Sequence, residues 1–116
     1  MASDLAPGLP VRLFIEALNA RDLDTLRTLV ADDVEFRNAD GAALRGEEGL
    51  RDIVMAAEDT DLLLAREGAE RVEGHDGIDH LTVPVRVLVG RGELHGTAVS
   101  DIRDGRVAAF AVVSVD

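Results

Sequence analysis

The chain contains no cysteine, no tryptophan, no tyrosine and no lysine. Without cysteine, disulfides, thiol catalysis and thiolate metal sites are excluded. All twelve positive charges are arginines, against 23 Asp and Glu, for a formal charge of -11. Binding along a phosphate backbone needs clustered cations that displace counterions, so nucleic acid is not an expected partner. Aromatic content is 3%, all phenylalanine, which removes stacking platforms for bases and any phenolic proton donor. No apolar run approaches the roughly 20 residues of a membrane span, so no membrane partner is expected. The opening MASDLAPGLP has no basic stretch followed by an apolar one, and without a secretory signal the default expectation is a cytoplasmic location.

What is present is a globular composition. At 116 residues, 47% hydrophobic and 30% charged, the chain is expected to fold as one domain, residues 1–116, with a real core and no linker. Val11, Phe14, Ile15 and Leu18 recur at helical spacing, and Pro10 suits a first-turn position, which predicts a helix from about Pro10 to Asn19. Asp22 is a natural N-cap for a second helix carrying Leu23, Leu26, Leu29 and Val30 and ending near Asp32. A short alternating strand, Val34 to Arg37, leads through the turn signal Asp40-Gly41 to a third helix marked by Leu50, Ile53, Val54 and Ala57.

The remainder reads as four long strands: Leu62 to Glu73, Asp79 to Val89, Glu93 to Arg103 and Arg106 to Val115. They are separated by Gly74-His75-Asp76-Gly77, Gly90-Arg91-Gly92 and Asp104-Gly105, each a hairpin signal. Consecutive hairpins give an antiparallel sheet, and helices gathered ahead of it must cover one face, so the fold class is α+β.

This order of elements, with the string LFIEALNARDLDTLRTLVADDVEF, the Leu44-Arg45-Gly46 step, Val83-Pro84-Val85-Arg86-Val87 and Asp104-Gly105-Arg106-Val107, resembles the nuclear transport factor 2-like superfamily. That superfamily includes SnoaL-like and ketosteroid-isomerase-like proteins, and the similarity covers nearly the whole chain. The resemblance implies three N-terminal helices packed in a curved antiparallel sheet: a cone-shaped, cystatin-like α+β barrel with an apolar cavity open at one end.

In the steroid-isomerase branch, a helix-one tyrosine, an aspartate base on the first strand and an acid on the penultimate strand surround the reacting carbonyl. The matched positions here are Phe14, Asn38 and Ala98. None can do that chemistry: phenylalanine donates no hydrogen bond, an amide accepts no proton near neutral pH, and alanine is not polar. A shift of one or two residues places Phe36, Arg37 or Asp40 at the base position instead, and only Asp40 restores a carboxylate, making it the candidate base. Whether the chain is an enzyme is therefore left open.

Alternation along the strands predicts the pocket lining. With Ala98 inward, Leu94, Gly96, Ser100 and Ile102 share its face; Val85, Val87 and Val89, then Phe110, Val112 and Ser114, take the matching places on neighbouring strands. Phe14, Phe36 and Asn38 complete the lining. The expected ligand is a small hydrophobic molecule held by one or two polar handles, Asn38, Ser100 or Ser114. The alternative is that these side chains simply close the core, leaving an interaction module without a ligand.

No cofactor and no metal is expected. The GHDGIDH run (His75, Asp76, Asp79, His80) crosses a hairpin and lacks metal-ligand spacing, which reads as a solvated turn. His95 and Asp101 face outward; Arg66 and Arg86 are expected to pair with the abundant acids. In the last strand VAAFAVVSV both faces are apolar, so the outer one should be covered too. A homodimer packed sheet to sheet through Ala109, Ala111, Val113 and Val115, with Leu88 and Val99, is the expected cover.

Overall fold

The first apolar stripe becomes helix α1, Gly8–Asn19, whose Val11, Phe14, Ile15 and Leu18 are all buried. The structure, a computed structural model, describes residues 8–37 and 43–114, the side chain of Ser114 excepted. Asp22 caps helix α2, Leu23–Leu29, by accepting from the Thr25 backbone N–H at 3.2 Å. That helix is shorter than its leucine spacing predicts. Val30 does not continue it but begins strand β1, Val30–Arg37, where it pairs in parallel with Val107. Both readings bury Val30, so local periodicity alone does not choose between them.

A three-residue strand, β2 (Ala43–Arg45), precedes helix α3, Gly46–Asp59. The third stripe is confirmed, with Leu50, Val54 and Ala57 buried. Gly46 sits at φ +64 where strand turns into helix, a conformation that favours glycine.

The expected strand from Leu62 to Glu73 is broken in two: β3 (Leu62–Arg66) and β4 (Arg71–His75). Both pair with the same long strand, β5 (Ile78–Val89), β3 up to Val85 and β4 from Thr82. Pro84 lies between. Its carbonyl accepts from the Glu67 N–H at 2.8 Å, so its nitrogen faces the same edge and has no hydrogen to donate. The ladder stops there, and the neighbouring chain leaves the sheet over 67–70 before rejoining it. Strands β6 (Gly92–Arg103) and β7 (Arg106–Ser114) complete the set. Two of the hairpins carry paired left-handed residues, Asp76 and Gly77 (φ 53 and 81) and Asp104 and Gly105 (φ 54 and 76), matching the twist of the strands they join.

The strand order is β2-β1-β7-β6-β5-β3, with β4 also on β5. Two features correct the expectation. The sheet is mixed, because β7 returns alongside β1 in the same direction, a pairing that needs a long crossover and leaves no local trace. Nor does it close into a barrel, since β2 and β3 remain at opposite ends of the path. The helices occupy its concave face. At the centre of the core are all three phenylalanines of the chain: Phe14 lies 6.1 Å from Phe36 and 4.7 Å from Phe110, centroid to centroid.

Candidate functional site

Where α3 leans over the concave face, the packing leaves an apolar groove of about 310 Å³. One wall is Phe36 of β1, Leu44 of β2, and Phe110 and Val112 of β7. The opposite wall is Leu62 and Leu64 of β3 with Val87 of β5; Ile53, Ala56 and Ala57 of α3 and Leu18 of α1 border it from the helical side. Among the described residues, only Arg37 and Thr60 bring polar side chains. The Thr60 hydroxyl already donates to the Ala56 carbonyl at 2.8 Å, and Arg37 Nε donates to Glu35 at 3.2 Å. Among the described residues no carboxylate or histidine lines the groove.

The groove thus brings together Phe36, Val87, Phe110 and Val112 of the expected lining. Phe14, Val85, Ala98 and Ser100 are buried but do not border it. Leu94 has the inward parity of its strand, in register with Val87, yet it is 45% exposed. The β6–β7 pairing ends at Gly96↔Ser114, so Leu94 overhangs the end of β7. Ser114 lies in β7, while Asn38 and Asp40 lie outside the described residues. The contributions from α3, β2 and β3 were missed by strand alternation. Their signal was the second apolar stripe of α3, Ile53 with Ala56 and Ala57, and the inward pair Leu62 and Leu64.

Among the described residues, the carboxyls held below their usual range, Asp22, Asp33 and Glu47, are on the surface and do not line the groove. Asp33 accepts a hydrogen bond from Arg103 at 2.6 Å and feels its charge. Glu47 is held down by hydrogen bonds from Arg27 and Arg51, and Asp22 by those from Thr25. Such surface pairs are structural and do not mark a reacting site.

The convex face carries the remaining candidates. His80 Nδ1 lies 2.5 Å from Asp101 Oδ1 across β5 and β6, half exposed. His95 Nδ1 lies 2.9 Å from Glu67 Oε1, and Arg86 approaches Glu67 at 3.9 Å and Glu93 at 3.8 Å. Arg66 is not on this face: it has the inward parity of Leu64, opposite Val85, and pairs with Glu70 at 3.3 Å on the helical side of the sheet. No group of three or more potential metal ligands occurs among the described residues. Beside these ion pairs lies the apolar part of the face, where Val99, Ala109, Ala111 and Val113 line a shallow dish edged by Glu35, Arg37 and Asp101. Leu88 is not part of it: the Arg86↔His95 pair lies between its own Leu88↔Glu93 pair and the dish.

The sequence pattern of the SnoaL-like domain matches residues 11–110. No functionally curated protein matches the chain. Among solved structures, it is similar to a candidate polyketide cyclase from Sinorhizobium meliloti (22% identity, 89% of this chain and 92% of that one, TM-score 0.71). It is also similar to a candidate ketosteroid isomerase from Kribbella flavida (19% identity, 95% and 78%, TM-score 0.72). A third is an LEH-like epoxide hydrolase from M. tuberculosis (17% identity, 90% and 79%, TM-score 0.64). At these identities the likeness is one of fold.

Proposed function

The chain belongs to the SnoaL-like domain family, and on that premise we propose that it binds a small hydrophobic molecule in the groove beneath α3, as a homodimer, without the proton-transfer residues of a steroid isomerase. The observation that carries this reading is the groove's lining: apolar on every wall, with its two polar side chains at Arg37 and Thr60 and no acid or base among the described residues. A volume near 310 Å³ is at the lower end of the range for small-molecule sites, about 300–1,000 Å³. Two of the three positions matched to the isomerase are filled by core: Phe14 is 0% exposed and Ala98 1%. Apolar residues on the convex face support the dimer. The reading is of a cytoplasmic protein acting on neither nucleic acid nor membrane; no described helix is long and apolar enough to cross a membrane.

A second reading keeps an enzyme of the isomerase, cyclase or hydrolase kind, as the named structural relatives suggest. Its best candidate base is Asp40, with a carboxylate matched at another position as the alternative. Phe36 and Arg37 before Asp40 and Leu44 after it all border the groove, which is the observation in its favour. The experiment that separates the readings has two arms. Titration with an apolar fluorescent probe should saturate at one site per chain; no saturable binding would return the chain to a module with a filled core. Proton exchange or isomerisation of a simple β,γ-unsaturated ketone should be absent. Turnover that Asp40→Asn abolishes would establish the enzyme instead.

A further inference from the structure

Among the described residues, Ser100 is the only polar residue in the buried interior. Its Oγ has no hydrogen-bond partner, and its same-face neighbours along β6 are Ala98 and Ile102, both buried. A buried hydroxyl without a partner destabilises a fold, whereas alanine would fill the place without that penalty. The serine therefore calls for an explanation other than packing.

Strand register supplies one. Phe36 on β1 pairs with Phe110 on β7, and Phe110 pairs with Ser100 on β6, so the three form one row across the concave face. Phe36 and Phe110 border the groove; Ser100 is the next place in the row. Phe110 therefore occupies the place between Phe36 and Ser100 in that row, with its ring 4.7 Å from that of Phe14. Resting on the proposed binding of a hydrophobic molecule, we infer that Ser100 is the groove's polar anchor: a ligand with one neutral oxygen on an apolar body places it against Ser100 Oγ when the Phe110 ring turns aside.

The chemistry narrows the ligand class. A serine hydroxyl both donates and accepts, so it serves an alcohol, a phenol or a ketone. A carboxylate in the same place would be buried without a cation, because the arginine at the groove, Arg37, has its side chain 67% exposed and paired to Glu35. The anchor therefore selects neutral oxygen over charged.

The test compares naphthalene with 2-naphthol, which differ by one hydroxyl. The chain has no tryptophan or tyrosine to interfere with their fluorescence. Both should bind the unaltered protein. In Ser100→Ala the 2-naphthol affinity should fall about five- to tenfold, naphthalene affinity should hold, and the melting temperature should not drop. Ser100→Cys, nearly the same size with a poor hydrogen-bonding group, should repeat the loss. Equal losses for both compounds, or no loss for 2-naphthol, overturn the anchor while the groove stands. If neither compound binds the unaltered protein, the groove reading and the anchor fall together.

Discussion

The side-chain amide of Asn19 pairs with both backbone groups of Leu64: its Nδ2 donates to the Leu64 carbonyl at 2.9 Å and its Oδ1 accepts from the Leu64 N–H at 3.0 Å. Strand β3 ends the sheet's path and pairs only with β5. Its outer backbone groups would otherwise be unpaired, a template for another chain. The last residue of α1 instead imitates a neighbouring strand. Asn19→Ala should cost about 1–3 kcal/mol, because it strands a part-buried donor and acceptor together. Urea denaturation measures the loss, and hydrogen exchange at the Leu64 amide should accelerate more than at Val85 in the centre of the sheet.

Arg21 ties the same corner from another direction. Its guanidinium donates to the carbonyls of Leu18 at 2.8 Å, Ala57 at 2.8 Å and Leu62 at 2.7 Å, joining α1, α3 and β3. It does so from a left-handed backbone, φ 58, a strain that glycine would relieve. Arg21→Gly should nevertheless destabilise by about 2–4 kcal/mol, since the charge-assisted bonds outweigh the relieved backbone. Ala57 and Leu62 also border the groove, so apolar-probe affinity should fall in the same variant. Arg21→Lys tests the geometry, because an ammonium cannot hold three carbonyls in a planar fork.

These two residues mark the limit of what could be read from sequence. Stripes and turns are local properties, and Val11, Phe14, Ile15, Leu18 and the Asp76-Gly77 and Asp104-Gly105 hairpins stand where periodicity puts them. Inward parity was also local, and it correctly buries Val85, Val87, Ala98, Ser100 and Phe110. What depends on a distant partner was not legible. The break between β3 and β4 is set by Pro84 on the neighbouring strand, and the parallel β1–β7 pair by where the chain returns. The groove itself is bounded by α3 and β3, which the catalytic resemblance, centred on Phe14, Asn38 and Ala98, gave no reason to consult.

The Asp33–Arg103 pair gives a pH prediction. Asp33 is held below the usual carboxylate range by the hydrogen bond and charge of Arg103. The unfolded chain therefore binds the proton first as pH falls, and the pair's contribution is present above the unfolded value and lost through the folded one. Arg103→Gln should melt below the unaltered protein near neutral pH, with the gap closing once the pH falls through the carboxylate range, below about 4. Both side chains are substantially exposed, so the neutral-pH gap should be small and should shrink in high salt. A gap that persists at low pH would mean that Arg103 acts through packing.

Ala56 offers a way to close the groove from the helical side. It is exposed on α3 and borders the groove, so a larger side chain can project into the opening without entering the core. Ala56→Phe should abolish probe binding or weaken it by at least about tenfold, while changing stability by less than about 1 kcal/mol. Circular dichroism and thermal melting verify the fold, and the probe titration reads the block. Unchanged probe affinity would place the bound molecule elsewhere.

The proposed dimer can be tested at Val99. On the convex face Val99 is 36% exposed and Val113 53%, and Ala111, in register with Val99, is short enough to let another sheet approach. In a two-fold interface the same patch faces itself, so Val99→Asp would bury two like charges near one another. Sedimentation should show the unaltered chain as a dimer and Val99→Asp as a monomer with the same secondary structure. Salt gives an independent sign. Each copy carries a formal charge of -11, so long-range repulsion opposes association, and screening it should tighten the dimer. An interface held mainly by ion pairs between Arg37 and the acidic rim would respond the other way, loosening as salt rises.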